Sequence, residues 1–415
     1  MKKESSQVVI IGAGPSGSVA ASLLHQQGID VVVIEKSLFP RFSIGESLLP
    51  ACMEVIEKAG MKPAVDSATF QFKDGAAFHR NGQYTEFEFE DKFTKGPGTT
   101  FQVQRGNFDK VLADTAQEQG VEIRYQHQLD DIEIQDTKSV LYVSSEDGTR
   151  YQIEADYVLD ASGFGRVLPR LLDLETPSCL PARTAVFTHI VDNIDPLVHP
   201  DYDRNKILIS VHPEDSGVWY WLIPFSNGVC SFGVVGSPEF FEGYPADRID
   251  ALKQLANEEM GLKNLLGQAE FSNPAGVLNG YSANVKHLAT DRYALLGNAG
   301  EFLDPVFSSG VTIAMKSAEL ASDCLVAHFG GEQVDWDSQY AKQLTVGVNA
   351  FRTYVEGWYD GSLQDVIFYP SPNARIKQMI CSILAGYAWD ESNPYVKDSK
   401  RRLNGLAEVI RQETI

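Results

Sequence analysis

The sequence predicts an α/β protein built from three regions. A glycine-rich turn between two apolar runs, within residues 8–34, is typical of a strand–helix–strand unit in a parallel sheet. Four apolar runs without intervening helices, within residues 184–235, indicate an antiparallel sheet. Residues 336–415 have mostly helical spacing. We therefore expect an α/β region, an antiparallel-sheet region and a helical C-terminal region.

The composition excludes several classes of protein. The 415 residues include 35 Lys and Arg against 56 Asp and Glu, a formal net charge of −21. Clustered cations bind nucleic acids and anionic membranes, so we expect neither as a partner. No apolar run reaches the ~18 residues of a membrane-spanning helix, and the fold needs the first apolar run, which argues against a signal peptide. The five cysteines lack CxxC spacing, which predicts no metal site or disulfide framework and favours a cytoplasmic location.

The individual elements follow from the apolar spacing. A strand at 8–11, a helix at 18–27 and a strand at 31–34 form the first unit. Further strands are predicted at 121–125, 132–134, 139–144, 150–153, 157–160, 184–190, 206–212, 218–223, 229–235 and 293–296. Further helices are predicted at 107–119, 246–267 and 311–328.

The turn after the first strand has the pattern GxGxxG, formed by Gly12, Gly14 and Gly17. Between a strand and a helix, with Glu35 closing the next strand, this pattern predicts a dinucleotide site. Gly12 permits the tight turn, Gly14 lets the backbone approach a pyrophosphate, and Gly17 allows close packing of helix and strand. The helix N-terminus attracts phosphate, and Glu35 accepts hydrogen bonds from ribose hydroxyls. A purely structural glycine turn is the alternative.

Two distant segments indicate which dinucleotide is bound. Residues 157–163 (YVLDASG) and 294–305 (ALLGNAGEFLDP) resemble the second and third fingerprints of FAD-containing monooxygenases with the p-hydroxybenzoate hydroxylase fold. This resemblance implies FAD as cofactor, with Gly297 and Asp304 near its ribityl chain or pyrophosphate. It assigns further cofactor contacts to Lys36, Arg41, Glu46, Ser47 and Arg105. For Arg105, a surface salt bridge is the alternative.

A tryptophan motif narrows the family further. Residues 219–224 read WYWLIP, and strand alternation places Trp219 and Trp221 on one face. The pattern W-x-W-x-I-P is the signature of flavin-dependent halogenases, which the chain resembles over most of residues 6–330. Other segments that match this family are IGESLLP at 44–50, FKDGAAF at 72–78 and DPVFSSGV at 304–311.

The resemblance to halogenases implies a two-stage reaction. A halide, chloride or bromide, attacks a flavin hydroperoxide formed from reduced FAD and O2, and the product is hypohalous acid. The two tryptophans keep the organic substrate away from the flavin. Lys73 then aims the hypohalous acid, by a hydrogen bond or as a chloramine; an exposed lysine is the alternative. The implied catalytic residues are Lys73, Trp219, Trp221 and Ser308, and the implied halide-binding residues are Ser309 and Gly310, for which a simple helix cap is the alternative.

One difference from the family pattern restricts the expected class of substrate. Tryptophan halogenases carry a Glu three residues before the glycine of the halide turn, whereas this chain has Phe307. The segment PVFSSGV at 305–311 instead resembles the branch that acts on phenols and pyrroles, which are electron-rich and need little help from a base. We expect a small aromatic substrate, free or tethered to a carrier protein, and a separate flavin reductase that supplies reduced FAD.

The expected FAD-binding domain is discontinuous and comprises residues 1–165 and 285–330, with 60–100 contributing to the substrate side. The antiparallel-sheet substrate domain comprises 170–284, and the helical C-terminal region comprises 331–415. Two other functions stay open from the sequence. One is a flavin hydroxylase or a saturating reductase of the geranylgeranyl-reductase type on the same scaffold. The other is a non-catalytic flavin-binding partner in a biosynthetic complex.

Overall fold

The computed structural model describes residues 2–413 as a mixed α/β fold, which confirms the predicted fold class. The strands of this part of the chain are, in order, β1 (Lys2–Ile11), β2 (Val31–Glu35), β3 (Gln71–Lys73), β4 (Gly75–Arg80), β5 (Gln83–Glu88), β6 (Thr100–Gln102), β7 (Glu122–Tyr125), β8 (His127–Ile134), β9 (Ser139–Ser145), β10 (Arg150–Asp160), β11 (Glu175–Thr176), β12 (Thr184–Val191), β13 (Lys206–Val211), β14 (Trp219–Pro224), β15 (Val229–Gly236), β16 (Gly276–Asn279), β17 (Asn284–Val285) and β18 (Tyr293–Leu295).

The α-helices cover the faces of the sheets and form the C-terminal region. In order, they are α1 (Pro15–His25), α2 (Cys52–Lys58), α3 (Lys62–Ser67), α4 (Arg105–Glu118), α5 (Val167–Leu171), α6 (Arg248–Glu258), α7 (Met260–Leu265), α8 (Ser309–Phe329), α9 (Lys342–Tyr359), α10 (Ser362–Ile367), α11 (Ala374–Leu384), α12 (Pro394–Lys397) and α13 (Ser399–Glu413). Among the helices of residues 2–413, none combines the length and the apolar character needed to cross a bilayer.

The first large sheet has the order β7–β2–β1–β10–β9–β8, and β18 also pairs with β10. Strands β7, β2, β1, β10 and β18 run parallel, while β9 and β8 pair antiparallel at the edge. Strand β1 pairs with β2 from Val8 opposite Val31 to Ile11 opposite Ile34, and α1 connects the two. This is the predicted strand–helix–strand unit. Its glycine turn therefore lies at the carboxyl edge of the parallel strands, where α/β sheets bind their ligands.

The second large sheet has the order β16–β12–β15–β14–β13–β4–β5. It is antiparallel except where β4 runs parallel to β13, so residues 75–88 add a hairpin to the four predicted strands. On one face, Tyr220 and Leu222 pack beneath α6 and α7. On the other face, Trp219 and Trp221 belong to a buried cluster that extends into the C-terminal helices. This second face lies toward the first sheet and forms a wall of the cavity described below.

The prediction of one continuous helix at 246–267 is wrong, because the structure has two helices there, α6 and α7. Glu259 has extended backbone angles (φ −90°, ψ 117°) and separates α6 from α7. Its carboxylate accepts hydrogen bonds from the backbone N–H groups of Gly261 and Leu262, which caps α7. Apolar spacing continues through such a break, because both short helices pack their apolar sides on the same sheet.

Candidate active site

A cavity of about 540 Å³ lies between the two large sheets. It extends from the carboxyl ends of β1 and β2 to the tryptophan face of β14 and the first turn of α8. The predicted site residues that line it are Gly12, Gly14, Glu35, Lys36, Arg41, Glu46, Ser47, Arg105, Trp219, Trp221, Ser308 and Gly310. The predicted site residues that lie outside its lining are Gly17, Lys73, Gly297, Asp304 and Ser309.

The glycine turn leaves the N-terminus of α1 open to this cavity. Gly12 has φ +99°, and a Cβ atom there would lie 2.7 Å from the Ala161 carbonyl oxygen. A Cβ atom at Gly17 would lie 1.9 Å from the Gly12 carbonyl oxygen. At Gly14 the nearest atom to such a Cβ is the Arg41 Nη2, at 3.4 Å, and within the described part of the chain no side chain caps α1. The turn therefore presents free N–H groups and a guanidinium to one point, an arrangement that suits phosphate.

The second strand holds an acidic group at the same end of the cavity. Glu35 is 4% exposed, and its two carboxylate oxygens accept hydrogen bonds from the N–H groups of Ala13 (2.9 Å) and Ser37 (2.8 Å). These bonds tie the carboxylate to the glycine turn. Each oxygen retains acceptor capacity for a hydroxyl from the cavity.

Two arginines share one buried carboxylate beside the turn. Arg105 donates from Nε to Asp109 Oδ1 (2.8 Å) and from Nη1 to the Ile44 carbonyl oxygen (2.6 Å). Arg41 reaches Asp109 Oδ2 at 3.2 Å. Arg105 is buried, so it is not a surface salt bridge. Asp109 orients both guanidinium groups at the cavity wall, and the sequence patterns gave no role to this aspartate.

The two tryptophans of β14 form the opposite wall. Their ring centroids lie 5.9 Å apart, and both indoles are almost fully buried. Trp221 covers Gly233, where a Cβ atom would lie 2.2 Å from its ring, and its Nε1 donates to Ser231 Oγ at 3.0 Å. Trp219 donates from Nε1 to the Tyr359 hydroxyl, also at 3.0 Å. Each indole is thus held by both packing and a hydrogen bond.

Lys73 lies behind the cavity wall rather than on its surface. It is fully buried, and its Nζ donates to Ser47 Oγ at 2.8 Å and to the Leu48 carbonyl oxygen at 2.7 Å. Burial lowers the pKa of Lys73 from 10.5 to about 7. Ser47 lines the cavity, so a single residue separates the amine from it. The alternative of an exposed lysine is wrong.

The turn at 304–311, which resembles the halide-binding turn of the family, contains a strained backbone conformation at Ser308. Ser308 has φ +55° and precedes α8, which no described side chain caps. Ser308 and Gly310 line the cavity, whereas the Ser309 side chain is buried outside the lining. The uncapped N–H groups of the first turn of α8 therefore face the same space as the tryptophans.

Gly297 and Asp304 do not line the cavity and instead contact other parts of the fold. Gly297 has φ +52° and lets α8 approach, because a Cβ atom there would lie 2.8 Å from the Ala314 Cβ. Asp304 is buried and accepts hydrogen bonds from Tyr359 OH (2.8 Å) and Tyr281 OH (3.0 Å). Burial raises the pKa of Asp304 against the lowering effect of these bonds. Both residues therefore support the site from behind its wall.

A hydrogen-bonded pair beside the same cavity joins buried Glu46 to partly exposed His189, a residue that the motifs did not predict. Glu46 Oε1 lies 2.7 Å from His189 Nε2, and Glu46 lines the cavity. Burial disfavours the charged imidazole, but the Glu46 hydrogen bond and charge outweigh it and raise the pKa of His189. The alternation of β12 places His189 on the same face as Phe187, which also packs against Trp221. That alternation was the one available sequence signal for His189.

Comparison with known proteins identifies the family. The FAD binding domain family model matches residues 5–339 of the chain. The chain belongs to this family. FAD is accordingly its cofactor, and the resemblance to flavin-containing enzymes predicted from the motifs is confirmed.

Several relatives of this FAD-binding chain have descriptions that bear on its activity. It is 27% identical to the 1H-pyrrole-2-carbonyl-[peptidyl-carrier protein] chlorinase of Pseudomonas fluorescens, over 97% of this chain and 93% of the relative. It is 42% identical to a flavoprotein/dehydrogenase from Cytophaga hutchinsonii, with a TM-score of 0.95 over 99% of this chain and all of the other. It is 25% identical to a triple mutant of the flavin-dependent brominase Bmp2, with a TM-score of 0.81 over 96% and 99%. The chlorinase and the brominase confirm the resemblance to flavin-dependent halogenases, and all three comparisons confirm the fold.

The residues around the cavity fit FAD. The open space at Gly14, the uncapped α1 and the adjacent Arg41 suit the pyrophosphate. Glu35 stands one strand away, where it can accept from the adenosine ribose. The cavity then continues past Arg105 to the tryptophan wall, so it has room beyond the pyrophosphate and ribose positions.

Proposed function

We propose that this chain halogenates an electron-rich aromatic compound, a phenol or a pyrrole-like ring, using reduced FAD, O2 and chloride or bromide. The observation that carries the proposal is the buried Lys73, joined through Ser47 to a cavity walled by Trp219 and Trp221. A buried lysine without a carboxylate partner is costly for the fold, and such a residue is more often retained for chemistry than for stability.

The FAD contacts that we assign follow the cavity. Gly12, Gly14 and the N-terminus of α1 receive the pyrophosphate with Arg41, and Glu35 receives the ribose. The remaining assigned contacts, by position on the wall, are Lys36, Glu46, Ser47 and Arg105. Gly17, Gly297 and Asp304 shape the site by packing and hydrogen bonding. Reduced FAD, when bound, would supply two electrons to O2 and the halide would supply the other two, which gives hypohalous acid and water.

The halide site that we assign is the first turn of α8. N–H groups of Ser309 and Gly310 are uncapped there, and the helix dipole favours an anion. Ser308 holds the turn in its left-handed conformation. Trp219 and Trp221 occlude the neighbouring wall, so that a halide reaches the turn while a bulky aromatic compound does not.

Lys73 receives the oxidised halogen in this proposal. With its pKa near 7, a large share of the side chain is neutral amine, whose two N–H groups have acceptors in Ser47 and Leu48. When hypohalous acid passes Ser47 from the cavity, the lone pair of Nζ attacks its halogen. An N–halogen bond forms, the halogen–oxygen bond breaks, and hydroxide leaves with the amine proton as water. The ring carbon of the substrate then takes the halogen, the electron pair returns to Nζ, and Nζ accepts the ring proton.

The substrate is inferred from the absence of a base at one position and from a relative. Phe307, which stands where tryptophan halogenases have Glu, is buried and packs edge-on against Trp358 at 6.0 Å. Such a site favours rings that react without a base. The described substrate of the Pseudomonas chlorinase supports a pyrrole held on a carrier protein. A separate flavin reductase in the cytoplasm is the proposed source of reduced FAD.

The deciding experiment supplies the protein with FAD, NADH, a flavin reductase, oxygen and chloride or bromide, together with free phenols and carrier-bound pyrroles. Mass spectrometry of the products should show exchange of hydrogen for halogen. A product that instead gains oxygen would indicate a hydroxylase, and no product with any halide would contradict halogenation.

A second candidate is an oxidoreductase that exchanges hydrogen with an organic substrate. The 42% identity to a protein described as a flavoprotein/dehydrogenase favours it. Its signature in the same experiment is a product that gains or loses two hydrogens, independent of the halide.

A further inference from the structure

A chain of hydrogen bonds connects the first tryptophan of the motif with the aspartate of the DP segment. Trp219 Nε1 donates to the Tyr359 hydroxyl (3.0 Å), which in turn donates to Asp304 Oδ2 (2.8 Å). Tyr281 OH donates to the same carboxylate oxygen at 3.0 Å, and the N–H of Val306 donates to Oδ1 at 3.0 Å. We call Trp219, Tyr359 and Asp304 the indole relay.

The direction of the relay is fixed by the chemistry of its members. An indole nitrogen only donates, and a carboxylate only accepts, so the Tyr359 hydroxyl must accept from one and donate to the other. The guanidinium carbon of Arg183 lies 3.9 Å from the centroid of the Tyr359 ring, which holds that ring in place. Trp219 is 1% exposed and Asp304 is 3% exposed, so water does not compete for these bonds.

We propose that Tyr359 and Asp304 are positioning residues that fix the indole of Trp219 across the cavity wall, and so keep the organic substrate separate from the flavin end of the cavity. The inference rests on the proposed function. Tyr359 is the last residue of α9, so the C-terminal region completes a site otherwise built by the two sheets. Asp304, expected to contact the cofactor, acts instead through Trp219.

The reason that a hydrogen bond is needed lies in the shape of the wall. Trp221 is anchored through Ser231 and through its contact with Gly233. The relay is the corresponding anchor of Trp219. An indole N–H that is buried without an acceptor is unfavourable, so removal of the Tyr359 hydroxyl favours rotamers that turn Trp219 toward another acceptor or toward solvent.

The test compares Tyr359→Phe with Tyr354→Phe. Tyr354 is a buried tyrosine on the same helix whose hydroxyl donates to the Tyr395 carbonyl oxygen, outside the relay. Indole N–H resonances are recorded by ¹⁵N–¹H correlation, with Trp219→Phe identifying the Trp219 signal. In Tyr359→Phe this signal should move upfield and exchange with solvent at least about tenfold faster, the loss of one buried hydrogen bond. In Tyr354→Phe it should stay unchanged.

Asp304→Asn provides a second variant that keeps the side-chain size. It removes the charge at the end of the relay and should shift the Trp219 signal in the same direction by a smaller amount. An unchanged Trp219 resonance in both Tyr359→Phe and Asp304→Asn would overturn the relay.

The functional readout is the fraction of reduced FAD that ends as halogenated product rather than as hydrogen peroxide. We expect Tyr359→Phe to lower this fraction at least about threefold, while Tyr354→Phe keeps the wild-type fraction. An equal fraction in both variants would overturn the positioning role. If the wild type forms no halogenated product with any substrate, the proposed function fails, and the indole spectra still decide whether the relay holds Trp219.

Discussion

At the scale of single residues, the proposed function depends most directly on Lys73. Two acceptors, Ser47 Oγ and the Leu48 carbonyl oxygen, hold its amine, and among residues 2–413 no carboxylate forms an ion pair with it. A lysine in such a position changes its charge near neutral pH, when an ordinary lysine stays protonated. Both its reactivity and its cost to the fold therefore depend on pH.

Replacing Lys73 by Met keeps most of the volume and removes the amine. We expect Lys73→Met to bind FAD like the wild type, yet to lose halogenated product by a factor of about 100 or more, the scale of a general acid–base group. Lys206→Met is the matched control, since Lys206 is also buried but is paired with Asp203 and Glu88 outside the cavity lining. Product mass and bound-flavin absorbance check both variants, and halogenation by Lys73→Met at the wild-type rate would contradict the assigned role.

The same lysine should make stability rise with pH. Its pKa in the folded state is about 7, below the ordinary 10.5, so between these values the unfolded chain binds more protons than the folded chain. The buried charge therefore lowers the free energy of unfolding by its full amount below pH ~7. This destabilisation decreases as the pH approaches the pKa of the unfolded chain, and the total change is up to about 5 kcal/mol. Urea unfolding at about pH 6 and about pH 9 gives the free energy of unfolding of the wild type and of Lys73→Met, and the difference between the two proteins at each pH measures this effect. A difference that stays constant with pH would show that Lys73 titrates normally.

At the scale of elements, local patterns predicted what local interactions determine. The unit β1–α1–β2 follows from apolar runs and three glycines, and the structure places it as expected. The alternation of β14 correctly placed Trp219 and Trp221 on one face. The apolar spacing did not predict the break at Glu259, because the break depends on a carboxylate that caps the next helix.

The sequence patterns did not predict strand pairing between distant segments, for a different reason. Strand β12 pairs with β15 rather than with its sequence neighbour β13. Residues 60–100 were expected on the substrate side, but the pairing of β4 with β13, more than a hundred residues away, was not predicted. Likewise, the motif containing Asp304 did not predict the hydrogen bonds that its carboxylate accepts from Tyr359 and Tyr281. Motif spacing identifies a residue type near a site but does not determine which neighbours the fold brings to it.

The glycine turn allows fold and cofactor binding to be separated. A side chain at Gly14 meets only Arg41 Nη2, at 3.4 Å, and otherwise enters the cavity, so Gly14→Val should fold but purify without FAD. A side chain at Gly17 meets the Gly12 carbonyl oxygen at 1.9 Å, so Gly17→Ala should lose more than ~3 kcal/mol, because backbone cannot yield as a side chain does. Flavin absorbance and thermal unfolding distinguish the two outcomes. Stoichiometric FAD in Gly14→Val would refute the assigned pyrophosphate position.

At the scale of the whole molecule, the site depends on three separate parts of the chain. The first sheet contributes the glycine turn and Glu35, the second contributes the tryptophan wall, and α9 contributes Tyr359. The net charge of −21 makes local cations necessary where anions bind. Arg41 and Arg105 provide them at the cavity, where they share Asp109.

The supply of electrons is also a property of the whole chain. The sequence contains one GxGxxG turn, at Gly12 to Gly17, and the assigned FAD site uses it, so no second turn of this kind is left for a nicotinamide dinucleotide. We expect the purified protein to oxidise NADH only negligibly and to form product once a flavin reductase is added. Absorbance of NADH with and without reductase, at equal FAD concentration, measures this. Rapid reduction of the bound flavin by NADH alone would instead place the nicotinamide in the same cavity, as in a single-component hydroxylase, because direct hydride transfer requires the two rings to be in contact.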